Sequence, residues 1–318
     1  LIPAARAARL GPDSGAPTGR KSGIRRAAGR RQGPAQGNTN MQSISRDEFE
    51  RALEQGEFLV QYQPKMARMT GRTDWVTTAA EALIRWRHPE RGRISPLDFL
   101  SQAVDCGMMP ALGDYVLEQT LTQLTRWRAN GLQLNGCVNL DASLLRDIEL
   151  AGHYERMVCR FDLPCDAITF EIAQPTIAGD EEACTTVMAA LRRKGFRLSL
   201  DDFGAARESL SSFGRLDFDE IKIHASLLIE ARDNAITRQA LAAVTGMAHA
   251  LGITDCAEGV EEAATFDFLK ELRCDKMQGF FISEAVMTEI IQRCYPAVDQ
   301  ANAMEVINEA TGMYAASR

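Results

Sequence analysis

No apolar run in this 318-residue chain reaches the roughly 18 to 20 residues that a membrane-spanning helix needs. Its opening residues lack the apolar core of a secretion signal. Together these absences point to a cytoplasmic protein with no membrane segment. Cysteine is present eight times but never as C-x-x-C, so neither a zinc clip nor a disulfide framework is indicated, and buried reduced thiols are expected. Histidine is scarce: His88, His153, His224 and His249 are four in all, and no two have the short spacing of a metal-ligand pair. No glycine-rich phosphate loop follows the first strand-like run, which argues against a nucleotide-binding open sheet.

Charge is unevenly spread. Residues 1–40 carry a net charge of +7 and no aromatic residue, whereas the remainder carries −14. Rich in Gly, Ala, Pro and Ser, residues 1–44 read as a disordered basic linker or an appended leader, with Met41 as a candidate start. A nucleic-acid-binding arm is the sharper alternative, but the acidic body argues against polymeric nucleic acid as a partner. That acidity is compatible with a small phosphate ligand held through metal ions.

From about residue 45 short strand-like runs alternate with helical patterns. EFLVQYQP and EALIRW come first, then two helical stretches through 97–129. NGCVNL, AITFEI, FRLSLDD, FDEIKI, ITDCAE and KMQGFFI follow, separated by helical segments. Such alternation specifies a mainly parallel sheet. Seven or eight units in about 250 residues suit an α/β fold of the TIM-like (β/α)8 barrel type, over 45–298, better than an open sheet. Residues 299–318 read as a C-terminal tail with helical character.

A polar residue stands at or near each strand: Glu81, Asn139, Glu171, Asp201 with Asp202, Lys222, Glu258 and Gln278. In a parallel barrel the carboxyl ends of the strands meet at one mouth. Five carboxylates gathered there would repel one another, and one lysine cannot neutralise them. Divalent cations can. An all-oxygen donor set suits Mg²⁺ or Mn²⁺; Ca²⁺ fits as well and is the expected inhibitor. So many carboxylates suggest two ions, and two ions held about 3.5 to 4 Å apart are a recurring device for hydrolysing phosphate esters. Each residue also has an ordinary reading: a solvated strand end for Glu81 or Glu171, a turn for Asn139, a helix cap for Asp201 and Asp202. Those readings explain the residues singly but not the set.

The ordered motifs YQPK, EALIRWRHPERGRISP, VNL, FEI, DDFG, KI, AEGVE and QGF resemble those of the EAL-domain family of bacterial cyclic di-GMP phosphodiesterases, over about residues 45–295. The resemblance implies hydrolysis of cyclic di-GMP to its linear dinucleotide by two cations. By motif position Glu81, Asn139, Glu171 and Asp201 would bind one, and Asp201, Asp202 and Glu258 the other. Lys222 and Gln278 would position or polarise the attacking water, with the Lys222 pKa lowered beside the cations. Gln63, Leu83 and Arg85 match positions near the substrate, and an arginine fork suits a phosphate or a guanine edge. Members of the family often dimerise, so a homodimer is also expected.

Three departures stand out. After DDFG and one further small residue, here Ala205, the family usually continues with Gly, Tyr and Ser; this chain has Ala206, Arg207 and Glu208. Gln174 replaces a glutamate that braces this loop, and His224 replaces an aspartate two residues after the lysine. Alanine reaches positive φ less cheaply than glycine, so the loop is expected to follow another path. The alternative to an enzyme is therefore a cyclic di-GMP receptor with little turnover. A glycosidase using two carboxylates is a weaker alternative, because it leaves Asn139 and Lys222 unexplained. If Gln174 limits turnover, Gln174→Glu raises the rate of linear-product formation severalfold; an unchanged rate removes Gln174 as the cause.

Overall fold

The computed structural model describes residues 43–68, 75–173, 181–205, 217–286 and 291. The expected linker and tail fall almost wholly outside this range, as do Gln174, Ala206, Arg207 and Glu208. Ile44 is described, and it is buried against Phe49, Phe99 and Trp86, so the folded body begins at or before it.

Strand β1 (Phe58–Arg68) pairs antiparallel with β2 (Trp75–His88), and β2 carries a short extension, β3 (Gly92–Ile94). The parallel strands are β4 (Asn135–Asn139), β5 (Ile168–Ala173), β6 (Arg197–Phe203), β7 (Glu220–Ile223), β8 (Thr254–Ala257) and β9 (Lys276–Met277). The ring runs β1-β2-β4-β5-β6-β7-β8-β9 and returns to β1, closing an eight-stranded barrel. The TIM-like expectation holds with one correction: β1 is antiparallel to both neighbours, because β1 and β2 are joined as a hairpin rather than through a crossover helix. Pro64 lies within β1 just before a bulge at Lys65/Met66, where a residue without an N–H is tolerated.

Helices cover the outside: α1 (Arg46–Glu54), α2 (Pro96–Asp105), α3 (Met109–Ala129), α4 (Leu150–Cys159), α5 (Glu181–Arg193), α6 (Ala225–Asp233), α7 (Ala235–Ala250) and α8 (Ala263–Glu271). Local chemistry sets several starts. Ser45 caps α1 by accepting from Glu48 N, and Asn234 caps α7 by accepting from Ile236 N and Thr237 N. The sequence pattern indicates a long helix over 234–251, which is α7, but gives no separate helix for α6; Asn234 both ends α6 and starts α7.

Parallel strands buried on both faces are usually apolar throughout. Here they alternate. Ile168, Phe170, Ile172, Leu198, Leu200 and Ile221 pack outward into the main core. The intervening Glu171, Ser199, Asp201, Glu220 and Lys222 share the opposite face, within the barrel, and all are buried. Their charges are paired there. Lys65, fully buried on β1, contacts Glu171 and lies 3.3 Å from Glu220 Oε1. Glu220 also accepts from Ser199 Oγ at 3.0 Å and from Lys276 Nζ at 2.6 Å.

Two glycines set how closely the ends of β8 and β9 pack. Gly259 has φ +66°, and a Cβ there would lie 2.4 Å from Ala225 Cβ. A Cβ on Gly279 would meet Val260 backbone atoms at 2.2 and 2.3 Å, which cannot swing aside. We expect Gly279→Ala to cost about 3 kcal/mol by overpacking and to lower the melting temperature by roughly 6–12 °C, read by thermal denaturation.

Burial opposes ionisation of Glu220, yet Lys65, Lys276 and hydrogen bonds from Lys276 and Ser199 hold its pKa at about 2, against an ordinary 4.5. A depressed carboxyl stabilises the fold fully above the unfolded value, and that contribution is lost as pH falls toward 2. The shift corresponds to about 3 kcal/mol. Glu220→Gln should therefore lower stability near pH 7 by about that amount and flatten the fall in stability on acidification, as measured by urea denaturation from neutral to acidic pH.

Candidate metal and active site

The barrel brings the sequence-predicted residues to one mouth. Glu81 on β2, Asn139 at the end of β4, Glu171 on β5, Asp201 and Asp202 on β6, and Lys222 on β7 meet there. Glu258 and Gln278 follow directly on β8 and β9. Lys222 Nζ lies at the centre. It is 2.6 Å from Glu171 Oε2, 2.7 Å from Glu258 Oε1, 3.0 Å from Asp201 Oδ1 and 3.6 Å from Glu81 Oε2. Asn139 Nδ2 donates to Glu81 Oε1 at 2.8 Å, and Gln278 Nε2 donates to Glu81 Oε2 at 2.7 Å. Gln278 Nε2 also reaches Gln63 Oε1 at 2.9 Å, which ties β1 into the same network.

These contacts shift the carboxyls in different directions. Burial disfavours the Glu81 carboxylate, but Lys222, Lys65 and the donors Asn139 and Gln278 bring its pKa well below the ordinary range. Burial raises Glu258, and Asp201 and Glu81 add to the effect. Burial and then Glu81 raise Glu171; burial and then Asp201 raise Asp202. Burial works against the Lys222 ammonium, yet Glu171, Glu258, Glu81 and Asp201 hold its pKa well above the usual value. The lowered lysine pKa expected from sequence therefore applies only beside cations; among bare carboxylates the sign is reversed.

The donor set fits divalent cations. Oxygens of Asp201, Asp202 and Glu258 lie within 4.8 Å of one another. Asp202 sits at φ +59°, its N–H bonds Asp201 Oδ1, and its own Oδ1 is buried without a hydrogen-bond partner. Gln278 Oε1 is likewise buried and unpartnered. Unsatisfied buried oxygens are costly unless something electropositive meets them.

Beside this cluster is a cavity of about 140 Å³. Leu83, Arg85, Asn139, Glu171 and Asp201 line it, together with an apolar flank from α2 and α3 that includes Leu100 and Met109. Arg85 bonds Gln61 Oε1 through Nε and the Ile84 carbonyl through one terminal nitrogen. Gln63 is not among the lining residues; its amide donates to the Ser283 carbonyl and accepts from Gln278. His224 caps α6 through Ser226 N, and its Nε2 is 3.9 Å from Asp202 Oδ1, so it faces the aspartate pair.

Sequence reasoning missed Lys65. Its signal was the last letter of YQPK, but a lysine beside a proline reads equally well as a sheet-edge residue. Only the closed barrel shows it to be fully buried against Glu171. The counter-charge within the barrel is thus more than the single lysine inferred from sequence.

Comparison with known proteins gives the same reading. The sequence profile of the EAL domain matches residues 46–285. A cyclic di-GMP phosphodiesterase of Pseudomonas aeruginosa is 31% identical over 239 residues, covering 75% of this chain and 40% of that protein. The cyclic di-GMP phosphodiesterase PdeR of Escherichia coli is 30% identical over 245 residues, covering 77% of this chain and 36% of PdeR. The chain thus spans well under half the length of these curated relatives. The MucR phosphodiesterase of P. aeruginosa, solved as a c-di-GMP complex, superposes with a TM-score of 0.70 at 29% identity, covering 77% of this chain and 98% of that one. The motifs that follow one another along the sequence meet at one barrel mouth, and the chain belongs to the EAL domain family.

Proposed function

We propose that this barrel hydrolyses cyclic di-GMP to the linear dinucleotide with the help of two divalent cations, Mg²⁺ or Mn²⁺. The observation that carries the proposal is the surplus of carboxylate oxygen at the mouth, above all the buried, unpartnered Asp202 Oδ1 beside Asp201 and Glu258. The relatives named as cyclic di-GMP phosphodiesterases support the choice of substrate.

Glu81, Asn139, Glu171 and Asp201 would hold one cation; Asp201, Asp202 and Glu258 would hold the other. Bound cations would supply positive charge to the phosphodiester and acidify a water. The chain's own groups supply orientation. Gln278 fixes its amide by donating to Glu81 and Gln63, which leaves Oε1 free to accept a hydrogen bond from the attacking water and so to orient it. Lys222, buried among carboxylates, holds its proton at Nζ beside them, where it would position or polarise the attacking water. Arg85 offers the remainder of its fork to a phosphate or a guanine edge, and Leu83 supplies an apolar wall.

Incubation with cyclic di-GMP and Mn²⁺ or Mg²⁺ should give the linear product, and a chelator should abolish it. Glu81→Ala should cut the rate by at least about 100-fold in protein that still melts cooperatively. Unchanged turnover in that variant would displace the site. Tight binding of intact ligand with either metal, without product, would replace the enzyme reading with that of a receptor.

A further inference from the structure

A second cluster lies at the amino ends of β8 and β9, away from the mouth. We propose that His249, Asp255 and Asp275 form a separate site for one divalent cation of the zinc, cobalt or nickel class. Asp255, on β8, is fully buried and faces α7, where Thr245 Oγ1 donates to its Oδ2 at 3.0 Å. His249 Nε2 lies 3.0 Å from Asp255 Oδ1 and 3.2 Å from Asp275 Oδ2. Ligand atoms of all three residues fall within 4.8 Å of one another. Donors bound at roughly 2.0–2.2 Å on one face of an ion sit about 3 Å apart, so these separations suit shared coordination.

Charge points the same way. Among the described residues, neither aspartate forms an ion pair with lysine or arginine. The two carboxylates exchange backbone hydrogen bonds, Asp275 N–H to Asp255 Oδ1 at 3.0 Å and Asp255 N–H to Asp275 Oδ2 at 3.4 Å, and a cation beside His249 would add the positive charge that no lysine or arginine brings. An imidazole nitrogen with two carboxylates favours a borderline ion over Mg²⁺ or Ca²⁺. His249 and Asp275 are partly exposed, which leaves room for entry and for water ligands. The ion would join α7, β8 and the segment leading into β9. Asp255 and Asp275 each stand three residues before a residue of the mouth, Glu258 and Gln278 respectively.

The test uses chelator-stripped chain saturated with Mg²⁺ near neutral pH, then titrated with Zn²⁺ by calorimetry and with Co²⁺ by visible absorption. Wild-type chain should bind one more equivalent than His249→Ala. Loss of a direct ligand should exceed the roughly 10- to 100-fold loss of affinity typical of removing an outer hydrogen bond. Asp275→Asn keeps the His249–Asp255 contact and should lose the same equivalent, which separates ligand loss from packing loss. Zn²⁺ should raise the melting temperature of the wild type more than that of either variant. Equal stoichiometry and affinity in all three proteins would overturn the proposal and leave a histidine–carboxylate contact only. None of these readouts depends on turnover of cyclic di-GMP.

Discussion

The pairing of ammonium with carboxylate inside the barrel is the constraint on which the rest of this structure depends. Lys276, Glu220, Lys65, Glu171 and Lys222 form an unbroken alternation of sign along the interior. All but the partly exposed Lys276 are buried, and each buried charge is tolerable only beside its neighbour. This fixes strand register more strictly than an apolar interior would. A one-residue slip of β5 or β7 would turn Glu171 or Lys222 into the helix layer and bring Ile172 or Ile221 inward. The apolar half of the same alternation holds the helices, so the core and the charge ladder are specified by one pattern read on two faces.

The ladder is not balanced along its length. Toward its amino end Glu220 is answered by both Lys65 and Lys276. At the mouth, Glu81, Glu171, Asp201 and Glu258 converge on Lys222, with Asp202 alongside. The deficit of positive charge therefore lies at the open end, where ions and substrate can arrive from solvent. The opposing shifts of Glu81 and Glu258 express it. Burial opposes ionisation of both; two lysines and two amide donors overcome it at Glu81, whereas at Glu258 it prevails over Lys222 with Asp201 and Glu81 adding to it.

Much of this was legible in the sequence because the polar residues interrupt otherwise apolar strands. AITFEI, FRLSLDD and FDEIKI show both the strand and the inward face, and the alternating Thr169, Glu171, Ser199, Asp201, Glu220 and Lys222 are all buried. What could not be read was whatever depends on closure. The direction of β1 follows from its hairpin with β2, which a strand-like run alone does not distinguish from a crossover unit. The burial of Lys65 follows from that direction together with the bulge beside it. Asp255 looked like one more polar residue in ITDCAE. Yet the strand alternation sends Cys256 into the barrel and Asp255 outward to Thr245 and His249.

Closure also explains why the site cannot be separated from the fold. Strands β1 and β9 share only two paired positions, Met66 with Met277 and Ala67 with Lys276. Beyond them, among the described residues, the seam is held by a backbone bond from Arg68 N–H to the Asp275 carbonyl at 3.1 Å, by an isolated bridge between Tyr62 and Val286, and by side chains. Gln278 Nε2 spans from Gln63 on β1 to Glu81 on β2, and Gln63 continues to the carbonyl of Ser283. The amide that leaves an acceptor free for a water is thus also the cross-link that completes the barrel at the mouth. Its orientation is set by the seam: with both N–H bonds committed, Oε1 has no alternative direction to face. A short last strand is a weakness in an ordinary barrel. Here the Gln278 backbone bonds Ala257 and Val260, and on the β1 side its place in the seam is taken by its side chain, which makes the closing contact at the mouth.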